Sequence, residues 1–331
     1  MKVCIFGAGA IGGQVGAQLA DSGVDVSLIA RGPHLAAMRE NGLILIHEHG
    51  ERLHVRPFCT DDPREAGVQD YIFIALKAHS VPGVVEAMQP LIGPDTAVIT
   101  AMNGVPWWYF HRHGGPHDGR QLHIVDPGGR QWRGLGPERA IGCVIWQAAE
   151  IVEPGVVRLT HGNRMPVGEP SGERSERVLA ISKALMASGM KSPVKKDIRN
   201  EIWMKLWGNL SFNPVSVLTH ATLERMGTEP GLREVVGRMM EEAKAIGERL
   251  GIRFALDIEK RIDTAREVGA HKTSMLQDLE AGRPMELDAL TGVVRELGRL
   301  VDVATPTIDL IYNLTRERAR QAGCYPEPED L

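Results

Sequence analysis

The chain has no run of about 18 apolar residues, no long block of lysine and arginine, and no Cys-X-X-Cys pair. The first absence excludes a membrane-spanning helix. With 38 Lys+Arg against 42 Asp+Glu the formal net charge is −4, so neither nucleic acid nor an anionic membrane surface is an expected partner. The four cysteines, Cys4, Cys59, Cys143 and Cys324, are scattered. That pattern suits reduced thiols in a cytoplasmic protein rather than a disulfide framework. Met1-Lys2 runs straight into a strand-like segment broken by Gly7 and Gly9, a poor secretory leader. Two histidine groups, His47-Glu48-His49 and His111/His113/His117, lack the spacing of a metal site, so no metal is expected. What remains is an ordinary globular composition, 43% apolar and 24% charged over 331 residues, long enough for two cores.

Lys2-Val3-Cys4-Ile5-Phe6 reads as a buried parallel strand, and Gly7-Ala8-Gly9-Ala10-Ile11-Gly12 follows it at once. A helical pattern then runs to Asp21, Gly23 closes it, and residues 24–30 read as a second strand. This is the strand–GxGxxG–helix–strand unit of dinucleotide binding. Gly7 permits the tight turn, Gly9 lets a pyrophosphate approach the backbone, and Gly12 lets helix and strand pack closely. The helix N-terminus at Ala10 and Ile11 offers its partial positive charge to the phosphates. An NAD site usually carries an acid at the end of the second strand. This chain has Ala30-Arg31 there, and a guanidinium fits a 2′-phosphate, which points to NADPH.

Further strands are expected at residues 43–46 and 53–55 (a hairpin around Gly50), at 71–76 ending in Lys77, and at 96–102 ending in Asn103-Gly104. Ligands of open α/β sheets lie beyond the carboxyl ends of the strands, so Lys77 and Asn103 are placed for the nicotinamide half of the cofactor. Residues 107–139 form an unusual Gly- and His-rich segment that opens with Trp107-Trp108-Tyr109-Phe110. Its Asp126-Pro127-Gly128-Gly129 reads as a hairpin-like turn. The aromatics are expected to pack this segment against the domain, or else to wall a substrate cleft.

After about residue 195 helical periodicity takes over, giving domains at 1–195 and 196–331. Helices are expected at 197–214, 234–250 and 257–268, a shorter one around Ser274, and one starting at Arg283-Pro284-Met285-Glu286, with Pro284 in its first turn. On the first of these, Lys205, Asn209 and Asn213 recur at four-residue spacing, a polar stripe beside the apolar Ile202, Leu206 and Leu210. Such a stripe is unfavourable to bury unless something polar faces it.

Taken in order, Gly7-Ala8-Gly9-Ala10-Ile11-Gly12, Leu76-Lys77, Asn103-Gly104, Arg199-Asn200-Glu201-Ile202-Trp203-Met204-Lys205, Asn209, Asn213-Pro214, Ser274-Met275-Leu276-Gln277-Asp278 and Glu286-Leu287-Asp288 resemble the ketopantoate reductase family over nearly the whole chain. The resemblance implies an α/β Rossmann-type domain followed by an all-helical domain, with the active site between them and NADPH as hydride donor. It implies Lys205 as the catalytic lysine and Glu286 as the substrate-binding glutamate. Asn209, Asn213 and Ser274 would be substrate contacts, with Lys77 and Asn103 near the nicotinamide. It implies reduction of ketopantoate to pantoate in pantothenate biosynthesis. The family's shorter members lack the 107–139 segment, so a different, bulkier 2-oxo acid stays open as substrate.

Reducing a 2-oxo acid needs a hydride at the carbonyl carbon and a proton for the developing alkoxide. An ordinary lysine, with a pKa of about 10.4, is charged at neutral pH and can supply that proton. Two other readings fit part of the pattern: a β-hydroxyacid dehydrogenase-like enzyme, which also sets a lysine four residues before an asparagine, and a non-catalytic NADPH-binding sensor. The wide apolar helix faces of the second half suggest a homodimer.

Overall fold

The computed structural model describes residues 1–326 and divides into two compact units. The first comprises Met1–Met102, Pro106–Gln121 and Gly128–Ile198. In chain order its elements are β1 (Lys2–Phe6), α1 (Ala10–Asp21), β2 (Asp25–Ile29), α2 (Gly32–Asn41), β3 (Leu43–Ile46), β4 (Arg52–Val55), β5 (Phe58–Thr60), α3 (Pro63–Ala66), β6 (Tyr71–Ile74), β7 (Ala97–Thr100), α4 (Arg130–Leu135), β8 (Ala140–Cys143), β9 (Ala148–Glu153), β10 (Val156–His161), β11 (Val167–Gly168) and α5 (Glu176–Ala187).

The main sheet runs β11-β8-β7-β6-β1-β2-β5, parallel except at β11. Setting β3 and β4 aside as an insertion between β2 and β5, this is the 3-2-1-4-5-6 order of dinucleotide-binding sheets. Strands β1, β6 and β7 are buried over almost their whole length, as a parallel sheet requires. The inserted β3–β4 hairpin joins β10 and β9 in a second sheet, β4-β3-β10-β9. That sheet packs on α1, where a Cβ on Gly13 would lie 2.9 Å from Val157. Helix α1 is therefore packed from two sides, and Gln14, buried within it, accepts a hydrogen bond at Oε1 from Gln147 Nε2 (3.0 Å).

In the 107–139 segment, Trp107, Trp108, Tyr109 and Phe110 are at most 2% exposed. Trp108 donates to Thr100 Oγ1 at the end of β7 (3.0 Å), and Trp107 meets Trp132 edge-to-face. Side chains so buried have no surface left to wall a substrate cleft. Asp126-Pro127-Gly128-Gly129 does bring Gly128 and Gly129 to positive φ, +67° and +66°, but the chain continues into α4 rather than back along a strand. The hairpin reading of that turn is corrected.

The second unit comprises Asn103–Val105, Leu122–Pro127 and the described residues from Arg199 on. Its helices are α6 (Ile198–Thr219), α7 (Leu223–Thr228), α8 (Pro230–Arg249), α9 (Ile258–Glu267), α10 (Ser274–Glu280), α11 (Val293–Leu300) and α12 (Pro306–Gln321). Trp203 and Trp207 of α6 are fully buried, and Trp207 donates to the Met240 carbonyl of α8 (2.9 Å). The helix expected from Arg283 instead opens at Leu287 and passes through a π-turn, Asp288–Gly292, into α11. The Met285 N–H is engaged by the Cys324 carbonyl (2.9 Å), and the Arg283 N–H by that of Asp278 (2.8 Å). These tertiary bonds hold residues 283–285 out of the helix despite Pro284. Among the described residues no helix is long and apolar enough to cross a membrane.

Candidate active site

In the first unit the glycine loop has the geometry that a dinucleotide needs. Gly7 sits at φ +98°, and its N–H and that of Ala8 both donate to the Ile29 carbonyl at the end of β2 (3.1 and 2.9 Å). A Cβ on Gly12 would lie 2.2 Å from the Gly7 carbonyl oxygen, so only glycine lets α1 approach β1 this closely. Gly9, by contrast, is the N-terminal cap of α1, and a Cβ there would meet nothing within 4 Å. The open face at Gly9 adjoins the N–H groups of Ala10, Ile11 and Gly12, which have no acceptor within their own helix. That is an anion cradle, and the residues present fit a dinucleotide pyrophosphate.

Arg31, just past β2, caps α2, is exposed, and makes no hydrogen bond or ion pair among the described residues. Lys77, half-buried, follows β6 on the same edge of the sheet. Between these elements, His34 in the first turn of α2 accepts the Gly155 N–H at Nδ1 (3.0 Å), and burial pushes its pKa below the ordinary 6.5.

The second unit collects the remaining candidate residues. Lys205 and Asn209 are half-buried on α6, and Asn213 is 4% exposed; Ile202, Leu206 and Leu210 form the buried stripe beside them. Asn213 Nδ2 is buried with no hydrogen-bond partner, an orphaned donor of the kind that ligands satisfy. The Asn213 carbonyl accepts from Ser216 Oγ (2.7 Å), whose hydroxyl shares a 2.6 Å hydrogen bond with Thr273. Thr273 caps α10 by accepting the Leu276 N–H (3.2 Å), so Ser274, the exposed first residue of α10, is tied to the Asn213 turn of α6.

Asn103 follows β7, as the spacing of the strand predicts. By its contacts it belongs to the second unit, where its Nδ2 donates to Glu286 Oε2 at 3.2 Å. Gly104 explains the close docking: at φ +87°, its added Cβ would lie 2.2 Å from the Ala289 carbonyl oxygen. That same carbonyl, in the π-turn, accepts the Val105 N–H (3.2 Å). Helix α12 and the chain just past it brace the arrangement, with Tyr312 and Tyr325 donating to the two oxygens of Asp288 (2.6 and 2.8 Å) and Thr315 to the Pro214 carbonyl (3.4 Å). Burial, then the Asp288 carboxylate, pushes both tyrosine pKa values up.

Sequence reasoning missed Thr273, Ser216, the π-turn and the Asp288–Tyr312–Tyr325 cluster. Only Thr273 carried a signal, a hydroxyl residue directly before a helix.

The Rossmann order, the phosphate cradle, and a lysine–amide stripe with a tethered carboxylate in an all-helical unit define an oxidoreductase dependent on a pyridine nucleotide. The family model "Ketopantoate reductase PanE/ApbA" matches residues 3–172, and "Ketopantoate reductase PanE/ApbA C terminal" matches residues 197–319. The chain belongs to the ketopantoate reductase family, whose members act on CH–OH groups. It is 53% identical to 2-dehydropantoate 2-reductase of Mesorhizobium japonicum, across 98% of this chain and 100% of that one. A crystal structure from Ralstonia solanacearum MolK2, provisionally named a ketopantoate reductase, superposes with a TM-score of 0.93 at 41% identity, covering 98% of this chain and 99% of that one. D-mandelate dehydrogenase in ternary complex with NADH and anilino(oxo)acetate shares the fold, with a TM-score of 0.81 at 22% identity, covering 97% of this chain and 99% of that one.

Proposed function

We propose that the protein reduces a 2-oxo acid to a 2-hydroxy acid with NADPH, the acid being ketopantoate and the product pantoate for pantothenate biosynthesis. The observation that carries the reading is the gathering of the Lys205–Asn209–Asn213 stripe and the Asn103-tethered Glu286 in one helical unit. The name of the Mesorhizobium relative supports the choice of acid.

Bound NADPH supplies the hydride. In this reading Gly7, Gly9, Ala10, Ile11 and Gly12 receive its pyrophosphate, Arg31 its 2′-phosphate, and Lys77 and Asn103 its nicotinamide half. The Lys205 ammonium stabilises the alkoxide as it forms and gives it a proton, a role typically worth roughly 10²–10⁴ in rate. Asn209, one turn along α6, orients that ammonium. The orphaned Asn213 amide and Ser274 hydroxyl bind substrate oxygens without adding charge. Glu286, fixed by Asn103, takes the distal hydroxyl, because a carboxylate repels the substrate's own. Residues 1–195 thus serve the cofactor and 196–331 the substrate, with Asn103 as the exception. Exposed Leu310 and Leu314 stand one turn apart on α12 and favour a homodimer through the helical unit, which sedimentation would detect.

Loss of NADPH absorbance across a panel of 2-oxo acids tests the reading, with ketopantoate expected to give the highest kcat/KM. Lys205→Ala should lose most of kcat while still binding NADPH. Near-normal turnover in that variant would remove Lys205 from the chemistry.

A further inference from the structure

The first turn of α2 lies where three parts of the first unit meet. His34 and Ala37 share one face of that helix, and both look onto Gly155 in the turn between β9 and β10. The Gly155 N–H donates to His34 Nδ1 (3.0 Å), and a Cβ on Gly155 would lie 3.1 Å from that of Ala37. Gly155 is fixed from its other side too, its carbonyl accepting the Ile44 N–H of β3 (2.9 Å). The imidazole also faces the Ala8 carbonyl, which favours a proton on the ring. Ala8 is 2% exposed and stands inside the glycine loop, between Gly7 and Gly9.

A neutral imidazole has one donor and one acceptor nitrogen. Nδ1 is engaged as the acceptor, so the proton is on Nε2, and Nε2 is the nitrogen left to serve Ala8. That nitrogen is buried, yet it completes no hydrogen bond among the described residues. Leaving a buried donor unpaired is unfavourable, so something should draw an acceptor onto it. The Ala8 carbonyl and the Gly9 N–H belong to one planar peptide. Gly9 caps α1, and its N–H is turned onto the Gly7 carbonyl (2.8 Å). The direction of the Ala8 carbonyl therefore sets the direction of the first N–H of the phosphate cradle.

We propose that His34 is a positioning residue of that cradle. Its Nε2–H takes the Ala8 carbonyl when a pyrophosphate settles on the loop, and so holds the Ala8–Gly9 peptide in the binding orientation without touching the cofactor. This rests on the cofactor site proposed above. The pyrophosphate is common to NADPH and NADH, so His34 acts on both alike, whereas Arg31 distinguishes them. Through Gly155 the second sheet, which carries no residue of the glycine loop, takes part in cofactor binding.

The test measures NADPH and NADH affinity, thermal unfolding and steady-state kinetics in the full-length wild type, His34→Asn and His34→Gln. An asparagine amide reaches the place of Nδ1, and a glutamine amide the place of Nε2. His34→Asn should keep the thermal midpoint but lose roughly 3- to 10-fold in affinity for both nucleotides. KM for both should rise together while kcat at saturation holds, and His34→Gln should regain most of the affinity. In the wild type, NMR of the histidine rings should show the Nε2–H tautomer, with its proton signal moving downfield when NADPH is added. Unchanged affinities in His34→Asn overturn the proposal, as does a ring proton that stays in place on NADPH addition. A loss confined to NADPH overturns it by setting the ring at the 2′-phosphate, and equal losses in both variants overturn it by marking a packing role. If the wild type binds neither nucleotide, the proposed cofactor site fails and this inference with it. Normal wild-type binding with an indifferent His34→Asn sinks this inference alone.

Discussion

Gly104→Ala tests how the Asn103–Glu286 pair is held. Gly104 lies at φ +87°, which costs an alanine about 1–2 kcal/mol. Its new Cβ would stand 2.2 Å from the Ala289 carbonyl, and backbone on both sides leaves no flexible side chain to yield. The Asn103–Val105 segment must therefore lift from the π-turn. Lifting breaks the Val105–Ala289 hydrogen bond, worth about 1 kcal/mol, and the Asn103 bond to the Glu286 carboxylate, worth about 1.5–3 kcal/mol. The sum is about 4 kcal/mol, or roughly 10 °C in Tm for a unit of this size.

Gly23→Ala is the control. Gly23 has nearly the same φ, +86°, but an added Cβ there meets nothing within 4 Å, so only the conformational part should be lost. Urea unfolding of both variants, with hydrogen exchange at the Val105 amide, reads the difference directly. Gly104→Ala should also raise KM for the 2-oxo acid, because Glu286 loses its tether. If Gly104→Ala is no less stable than Gly23→Ala and Val105 stays protected, the docking described here does not hold the site.

Gly9→Ala should leave stability nearly unchanged yet weaken NADPH binding at least tenfold, while Gly12→Ala, whose Cβ meets the Gly7 carbonyl at 2.2 Å, should destabilise the apoprotein by roughly 2 kcal/mol or more; fluorescence titration and thermal unfolding separate the two, and identical behaviour would refute the cradle. Arg31→Asp should weaken NADPH far more than NADH, and equal losses in a titration with both would count against a 2′-phosphate contact. His34 stays neutral in the fold below its ordinary pKa of 6.5. The unfolded chain therefore takes up a proton as pH falls through about 6.5 while the folded chain does not, so stability declines below that pH until the lower folded value is passed. Protonation would also remove Nδ1 as acceptor for Gly155. Urea midpoints at pH about 7 and about 5 should fall less in His34→Gln than in the wild type, and an unaltered difference would exclude His34 as the source.

What could be read from sequence was what repeats or breaks locally. The glycine loop, the buried strands and the stripe at 205, 209 and 213 follow from residue type and spacing over a few residues, and the structure contains each of them. Asn103 shows where this stops. Its place after β7 was legible, but its partner lies 183 positions away, and only the glycine beside it hinted at a close approach. The start at Leu287 was hidden for the same reason. Pro284 is a sound opening residue for a helix, yet Cys324 and Asp278 compete for the N–H groups around it, and no local pattern reveals such distant acceptors. The apolar positions Leu287, Leu290, Val293, Val294 and Leu297 fit an unbroken α-helix equally well, so the π-turn left no trace in periodicity.

That turn has an evolutionary corollary. One residue beyond the α-helical count separates the part of the chain that carries Glu286 from the part that buries Val293, Val294 and Leu297. A single-codon deletion within residues 288–292 would restore the α-helical count and leave the apolar rows on both sides of the turn in phase. The length of this segment is thereby insulated from selection on the core, and a lineage can gain or lose the turn that receives Gly104 and Val105 without repacking Val293, Val294 and Leu297.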